Sequence, residues 1–488
     1  RPETLLLHFH VPRNMLLCVF LVFLLPLKGS ARFIQDEFVV SMWVDPVVHP
    51  SEFDARYREM AQANITVLLG GFGATTPDSV GLQLAACETN GLKAIVSTCG
   101  GTSTSPTPGA CVTNTTIASS PALLGYQMKD EPDASEFPSL KNWSDTVSKQ
   151  GKKDGLRFIN LLPNYAVASQ LNASSYSAYV QEFMETVDPD VLCMDHYPFF
   201  EGAYANATLN TSMEGYHRNM EVLRKYSVLH NVPFWNFFNA IPFGYHLAAN
   251  KGQIAWQAFT SLAYGAKGVL YFTYWSPGFP TPGATSGTDA TNDATDGAKP
   301  YHRSMNLFKN ELGTFDKGGG LISPITYGID GSKSEYIFQP TIQYQYAKEI
   351  NTLLVNYGNY LLPFTSTNVW RPHLQPIPPL ASPIATINET NSGGSSGIPG
   401  LLPVGKYLIG YFKGPATTQN RQAIVIMNQR SDINVWPTIT FRENVFIQNV
   451  RELDAHSGQV RPVRDDSPGI PGLQLVLEAG HARVLVIG

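Results

Sequence analysis

From Phe38 onward, short apolar runs alternate with amphipathic stretches. The runs fall at 38–44, 65–70, 93–98, 123–128, 157–162, 191–194, 233–238 and 267–274. They are mostly about 25 to 40 residues apart, the spacing of repeated strand–helix units. Between them, 52–63, 79–90, 174–187, 214–226 and 252–264 carry apolar residues at helical intervals. Runs this short, bounded by turn residues, suit strands buried on both faces of a parallel sheet. Eight such units predict an α/β fold, a (β/α)8 TIM barrel over 33–365, closed by a helix over 341–361.

Beyond residue 366 the pattern changes. Short β-type runs at 407–412, 423–427, 438–441, 473–477 and 483–487 are separated by turn residues, with no helical period. They predict a small all-β sandwich over 366–488, within which the Pro/Gly/Ser stretch 376–403 reads as a long loop. A second loop, 276–300, is rich in Gly, Thr, Ser, Pro and Asp. Following the eighth strand, it is expected on the rim of the barrel's carboxyl face.

The N-terminal region reads as an address. Met15 precedes the apolar run 16–27 and then Lys28-Gly29-Ser30-Ala31, whose small residues suit a signal peptidase. Residues 1–14 lie upstream of this plausible initiator, and 1–31 are assigned to upstream residues and signal peptide. The run is short for a membrane span, so a secreted protein with no membrane partner in its mature form is expected. The sequons at Asn64, Asn114, Asn142, Asn172, Asn206, Asn210 and Asn388 agree with that route. So does a cysteine pair: Cys99 and Cys111 flank a Gly/Thr/Ser/Pro loop and could be joined, with Cys87–Cys111 the competing pairing. Cys193, inside an apolar run, reads as a buried thiol.

Composition narrows the partner. Charged residues make up only 15% of the chain and aromatics 11%, a balance suited to neutral, ring-shaped ligands, although an aromatic core accounts for much of it. A net charge of -5 without a basic cluster argues against nucleic acid. No Cys/His spacing reads as a zinc site, and neither metal nor cofactor is expected.

The candidate chemistry stands where the strands end. The fourth run, Gly125-Tyr126-Gln127-Met128-Lys129-Asp130-Glu131-Pro132, finishes in two adjacent carboxylates and a proline. At the carboxyl end of a barrel strand, two carboxylates are costly to place together unless one is protonated or put to use. Strand alternation would send Lys129 and Glu131 to one face and Asp130 to the other. The remaining ends supply Trp43 and Asp45, then Asn164, then Asp195, His196 and Tyr197, then Asn236, and finally Tyr274 and Trp275. Rings stack on the apolar faces of sugars, while amides and carboxylates bond their hydroxyls. Each also has a plainer role. The two tryptophans can be barrel packing, Asp45 a turn cap, and His196 a structural donor.

These strand ends resemble those of (β/α)8-barrel glycoside hydrolases of the clan that includes β-galactosidases and cellulases. The resemblance rests on 125–132, on 195–198, and on Ala-Tyr-Gly-Ala-Lys-Gly-Val-Leu-Tyr-Phe-Thr-Tyr-Trp at 263–275. It implies that Glu131, ahead of proline, is the acid/base of a carbohydrate-cleaving enzyme. The clan's nucleophile, a glutamate ending strand seven, has no counterpart in Phe234-Trp235-Asn236-Phe237-Phe238-Asn239. Three solutions remain. Asp195 can be the second carboxylate. Asp130 and Glu131 can act together, as in substrate-assisted N-acetylhexosaminidases, with Asp195 and Tyr197 as helpers. Or the barrel can bind glycans without catalysis. The first is the favoured expectation.

Overall fold

The structure is a computed structural model. It describes residues 33–43, 45–46, 52–105, 107–200, 213–242, 246–274, 322–327, 335–372, 374–375, 378, 382–389, 407–418, 421–469 and 471–488. The signal region, Trp275, the loop 276–300 and the sequons at Asn206 and Asn210 lie outside the described residues.

All eight expected barrel strands are present: β1 Val39–Trp43, β2 Val67–Leu69, β3 Lys93–Ser97, β4 Leu123–Asp130, β5 Leu156–Leu161, β6 Leu192–Asp195, β7 Phe234–Asn239 and β8 Gly268–Phe272. They form one parallel sheet in the order β1-β8-β7-β6-β5-β4-β3-β2. The Thr66 amide donates to the Val40 carbonyl at 2.8 Å and draws the two ends of the sheet together. One side-chain set, including Val39, Leu69, Ile95, Phe158, Cys193 and Trp235, fills the interior. The alternate set, such as Val40, Leu68, Tyr126 and Met194, packs outward under the helices. Burial on both faces explains why these strands read as continuous apolar runs.

The principal helices are α1 Phe53–Gln62, α2 Pro77–Thr89, α3 Phe137–Gln150, α4 Tyr176–Thr186, α5 Met213–His230, α6 Lys251–Tyr264 and α7 Ile342–Leu361. Their starts carry local signals. Thr76 and Ser79 form a capping box with Pro77 in the first turn of α2, and Asn250 with Gln253 does the same for α6. Helix α6 ends at Gly265, whose φ of 102° suits glycine. Helix α7 seals the barrel as expected: the Tyr271 hydroxyl donates to Asn351 Oδ1 at 2.7 Å, and Asn351 Nδ2 donates to the Ala63 carbonyl at 2.8 Å.

A hairpin, β9 Ile322–Tyr327 and β10 Glu335–Pro340, precedes α7. The remaining strands are β11 Thr365–Trp370, β12 Ile384–Glu389, β13 Tyr407–Lys413, β14 Gln422–Asn428, β15 Pro437–Phe441, β16 Val450–Leu453, β17 Val460–Pro462, β18 Leu473–Gln474 and β19 Ala482–Ile487. A six-stranded sheet, β11-β13-β14-β19-β16-β17, faces a three-stranded one, β12-β15-β18. Trp370, Ile409, Ile426, Ile439 and Leu485 lie in the core between them. The expectation of an unbroken loop over 376–403 is corrected by β12, which pairs antiparallel with β15. The opposite face of the larger sheet, with Leu408, Phe412, Val425 and Met427, joins the barrel's own hydrophobic core. Helix α6 is caught between the two bodies and is buried on nearly every side.

Cys99 and Cys111 are joined, with Cα atoms 5.2 Å apart, which closes the loop after β3 and settles the pairing. Cys87 and Cys193 are buried thiols.

Candidate active site

The mouth of the barrel is built around one amide. Strand β4 loses its regular register against β5 between Gln127 and Lys129, after which Asp130 stands opposite Asn160. Glu131 then turns to a φ of 45°, and its N–H donates to the Asn160 carbonyl at 2.9 Å. A non-glycine residue in the left-handed region is uncommon, and such strain gathers at functional sites. The irregularity and this turn also correct the simple alternation expected for 129–131. Lys129 pairs with Glu136 at 3.1 Å, while Asp130 and Glu131 both act on Asp195.

Asn160 Nδ2 donates to Asp130 Oδ1 at 3.1 Å and to Asp195 Oδ1 at 3.2 Å. Those two oxygens are therefore no farther apart than the two bonds laid end to end. Asp195 is 7% exposed. Burial, then the charges of Glu131 and Asp130, raise its pKa well above the carboxylate range, against the opposing bond from Asn160. Asp130 and Glu131 are open to solvent in the mouth. The Asp130 carboxyl is nevertheless crowded by protein on its inner side, which raises its pKa, while the Asn160 bond and Lys129 oppose the shift.

Three phenols surround the acids. Burial first, and then the charge of Asp195, hold Tyr165 and Tyr197 well above the usual phenol range, with Glu131 adding to both. Tyr176, bonded by Asn219 Nδ2 at 3.1 Å, is raised by burial as well. All three stay protonated at neutral pH and can donate. The opposite half of the mouth is aromatic. Trp43 lies 5.5 Å from Phe72 and 5.9 Å from Phe237, and Tyr197 lies 5.3 Å from Phe272, between ring centroids.

The structure thus gathers Asp130, Glu131, Asp195 and Tyr197 at one place, with Trp43 on the facing wall. The other expected residues are turned elsewhere. Asp45 is buried beneath the β2–α2 loop, accepting from the Phe72 amide at 2.8 Å and from Gln83 Nε2 at 2.9 Å. Burial raises its pKa to about 6 despite these bonds. His196 points outward, edge-on to Tyr165 and Tyr216, and burial lowers its pKa to about 3, leaving a neutral imidazole. Asn164 is tied to α5 through Asn219 Oδ1 at 2.7 Å and the Gly215 carbonyl at 3.0 Å. Asn236 bonds Ser261 of α6 at 3.0 Å. Tyr274 is buried, its hydroxyl donating to the Arg56 carbonyl at 3.3 Å. At the fifth strand end, Asn160-Leu161-Leu162-Pro163-Asn164-Tyr165, sequence reasoning chose Asn164 over Asn160 and Tyr165, and it missed Phe72. The one signal for Asn160 was an amide within the apolar stretch Phe158-Ile159-Asn160-Leu161-Leu162.

Among the described residues, no group of three His, Cys, Asp or Glu side chains is placed to hold a metal ion, and no helix is long and apolar enough to cross a membrane. No family model matches the chain, and no curated protein matches it. Solved structures similar to it include a family 51 α-L-arabinofuranosidase from Bifidobacterium longum, 7% identical, covering 94% of this chain and 96% of that one, with a TM-score of 0.44. An endo-β-1,4-mannanase from Thermotoga petrophila is 9% identical, covering 82% and 95%, with a TM-score of 0.42. A bifunctional glucanase-xylanase from a metagenome library is 10% identical, covering 93% and 99%, with a TM-score of 0.38. Those activities belong to those proteins. The chemistry of this chain is read from its own mouth.

Proposed function

We propose that this protein is a secreted glycoside hydrolase that cleaves O-glycosidic bonds of an oligo- or polysaccharide by carboxylate acid/base catalysis. The observation that carries the reading is the convergence of Asp130, Glu131 and Asp195 on one amide-bridged cluster at the carboxyl end of the barrel. Three carboxylates this close resist full ionisation, so the cluster keeps a proton at higher pH than a lone carboxylate does. In the productive arrangement that proton sits on Glu131, which is open to the mouth, and passes to the leaving glycosidic oxygen. Asp195, ionised once Glu131 holds the proton, faces the positive charge developing on the sugar. Tyr165 and Tyr197 supply hydroxyl donors beside the acids, and Trp43 offers an apolar ring face.

A panel of aryl glycosides tests the function: the wild-type protein should release phenol from at least one member. Turnover of none would leave a glycan-binding barrel. Activity confined to 2-acetamido sugars, with inhibition by thiazolines, would instead assign the adjacent Asp130–Glu131 pair to substrate-assisted cleavage.

A further inference from the structure

Each of the three acids is held by the same residue. The backbone carbonyl of Asn160 accepts the Glu131 N–H at 2.9 Å, and its side-chain nitrogen donates to Asp130 and to Asp195. Asn160 is 4% exposed, and its Oδ1 has no hydrogen-bond partner in the protein. The NH2 end of the amide faces the two aspartates, each of which accepts a hydrogen bond from it. A buried carbonyl oxygen left without a donor costs about 1–3 kcal/mol. A leucine would fill the same space without that cost. An amide kept at that cost, between two acids that its nitrogen bridges, is kept for what its nitrogen does.

We propose that Asn160 is the positioning residue of this site: its nitrogen holds Asp130 and Asp195 in one mutual orientation and its carbonyl holds the Glu131 backbone beside them. Its consequence for turnover rests on the glycoside hydrolase reading; the positioning role does not. The groups facing the trio are Lys129 and Tyr165 at and beyond the ends of β4 and β5, Tyr176 and Tyr179 from α4, and Cys193 and Tyr197 along and just past β6. None of them is altered by a change at Asn160. The amide favours the ionised form of both aspartates, so its removal moves their titration upward.

The test is an infrared difference titration of the carboxyl groups in wild-type and Asn160→Leu protein, run beside kcat and KM on the best aryl glycoside. The protonated-carboxyl band should persist ~1–2 pH units higher in the variant, the size expected for losing a bond to a charged group. The pH optimum should rise with it, and kcat/KM should fall by at least about tenfold. An unmoved band with an unmoved optimum overturns the proposal. A moved band in a protein whose wild type cleaves no glycoside keeps the positioning role and overturns the hydrolase reading. If Asn160→Leu does not fold, Asn160→Ser, which reaches at most one aspartate, must show the same upward direction.

Discussion

At the scale of single residues, parity along a strand decides what a side chain can do. On β6, Cys193, Asp195 and Tyr197 point into the barrel, so His196 between them points out. On β7, Trp235 and Phe237 point in and Asn236 points out, into the helices. Both outcomes follow from period two once one inward residue is known. The sequence shows the alternation but not which residue anchors it. Asp195 was legible as a carboxylate ending an apolar run. Asn160 was not, because an amide in such a run looks like any tolerated polar residue. The raised pKa of Asp195 sets a pH expectation. Its acidic limb in a kcat/KM profile, where Asp195 ionises to face the sugar, should lie above the ordinary carboxylate range, and Asp195→Asn should remove that limb along with most turnover. A profile of unchanged shape in Asp195→Asn would exclude it from the cluster that titrates.

At the scale of elements, the β2–α2 loop is held by a single carboxylate. Asp45 receives the amides of Phe72, Gly73 and Ala74 together with Gln83, and so places Phe72 against Trp43 at the mouth. Gly73 has no room for a side chain, since a Cβ would lie 2.0 Å from the Pro46 carbonyl oxygen. Because the pKa of Asp45 is raised to about 6 from 3.8, its contribution to stability is full below the unfolded value and is lost as pH rises through about 6. Asp45→Asn removes that dependence. Unfolding measured at pH 4 and pH 7 should show the variant gaining about 2 kcal/mol on the wild type between the two. No relative change would mean that Asp45 does not titrate in the folded protein. The same loop shows why element boundaries are partly hidden. The apolar runs announced all eight barrel strands, whereas β12 lies in a Pro/Gly/Ser-rich stretch whose turn residues outweigh its short Ile384-Ala385-Thr386-Ile387 alternation.

At the scale of the whole molecule, the barrel and the β-sandwich share α6. Gly410 of β13 lies so close to the helix that a Cβ would sit 2.1 Å from the Ala263 carbonyl oxygen. Gly410→Ala must push the two bodies apart and should cost about 1–3 kcal/mol in denaturant unfolding while leaving kcat near the wild-type value at low temperature. Unchanged stability would mean that this contact is looser than the structure shows. The sequence announced two bodies through its change of period at about residue 366. It could not announce their shared core, because a helix buried on every side reads like any apolar helix. With the frame fixed in this way, the central claim concerns the mouth. The most direct test is the turnover of the best glycoside substrate by Glu131→Gln, with folding matched to the wild type by unfolding. Loss of the general acid predicts a fall of about 10²–10⁴-fold. Turnover close to the wild-type rate would contradict the assignment of Glu131 and, with it, the acid/base reading of this site.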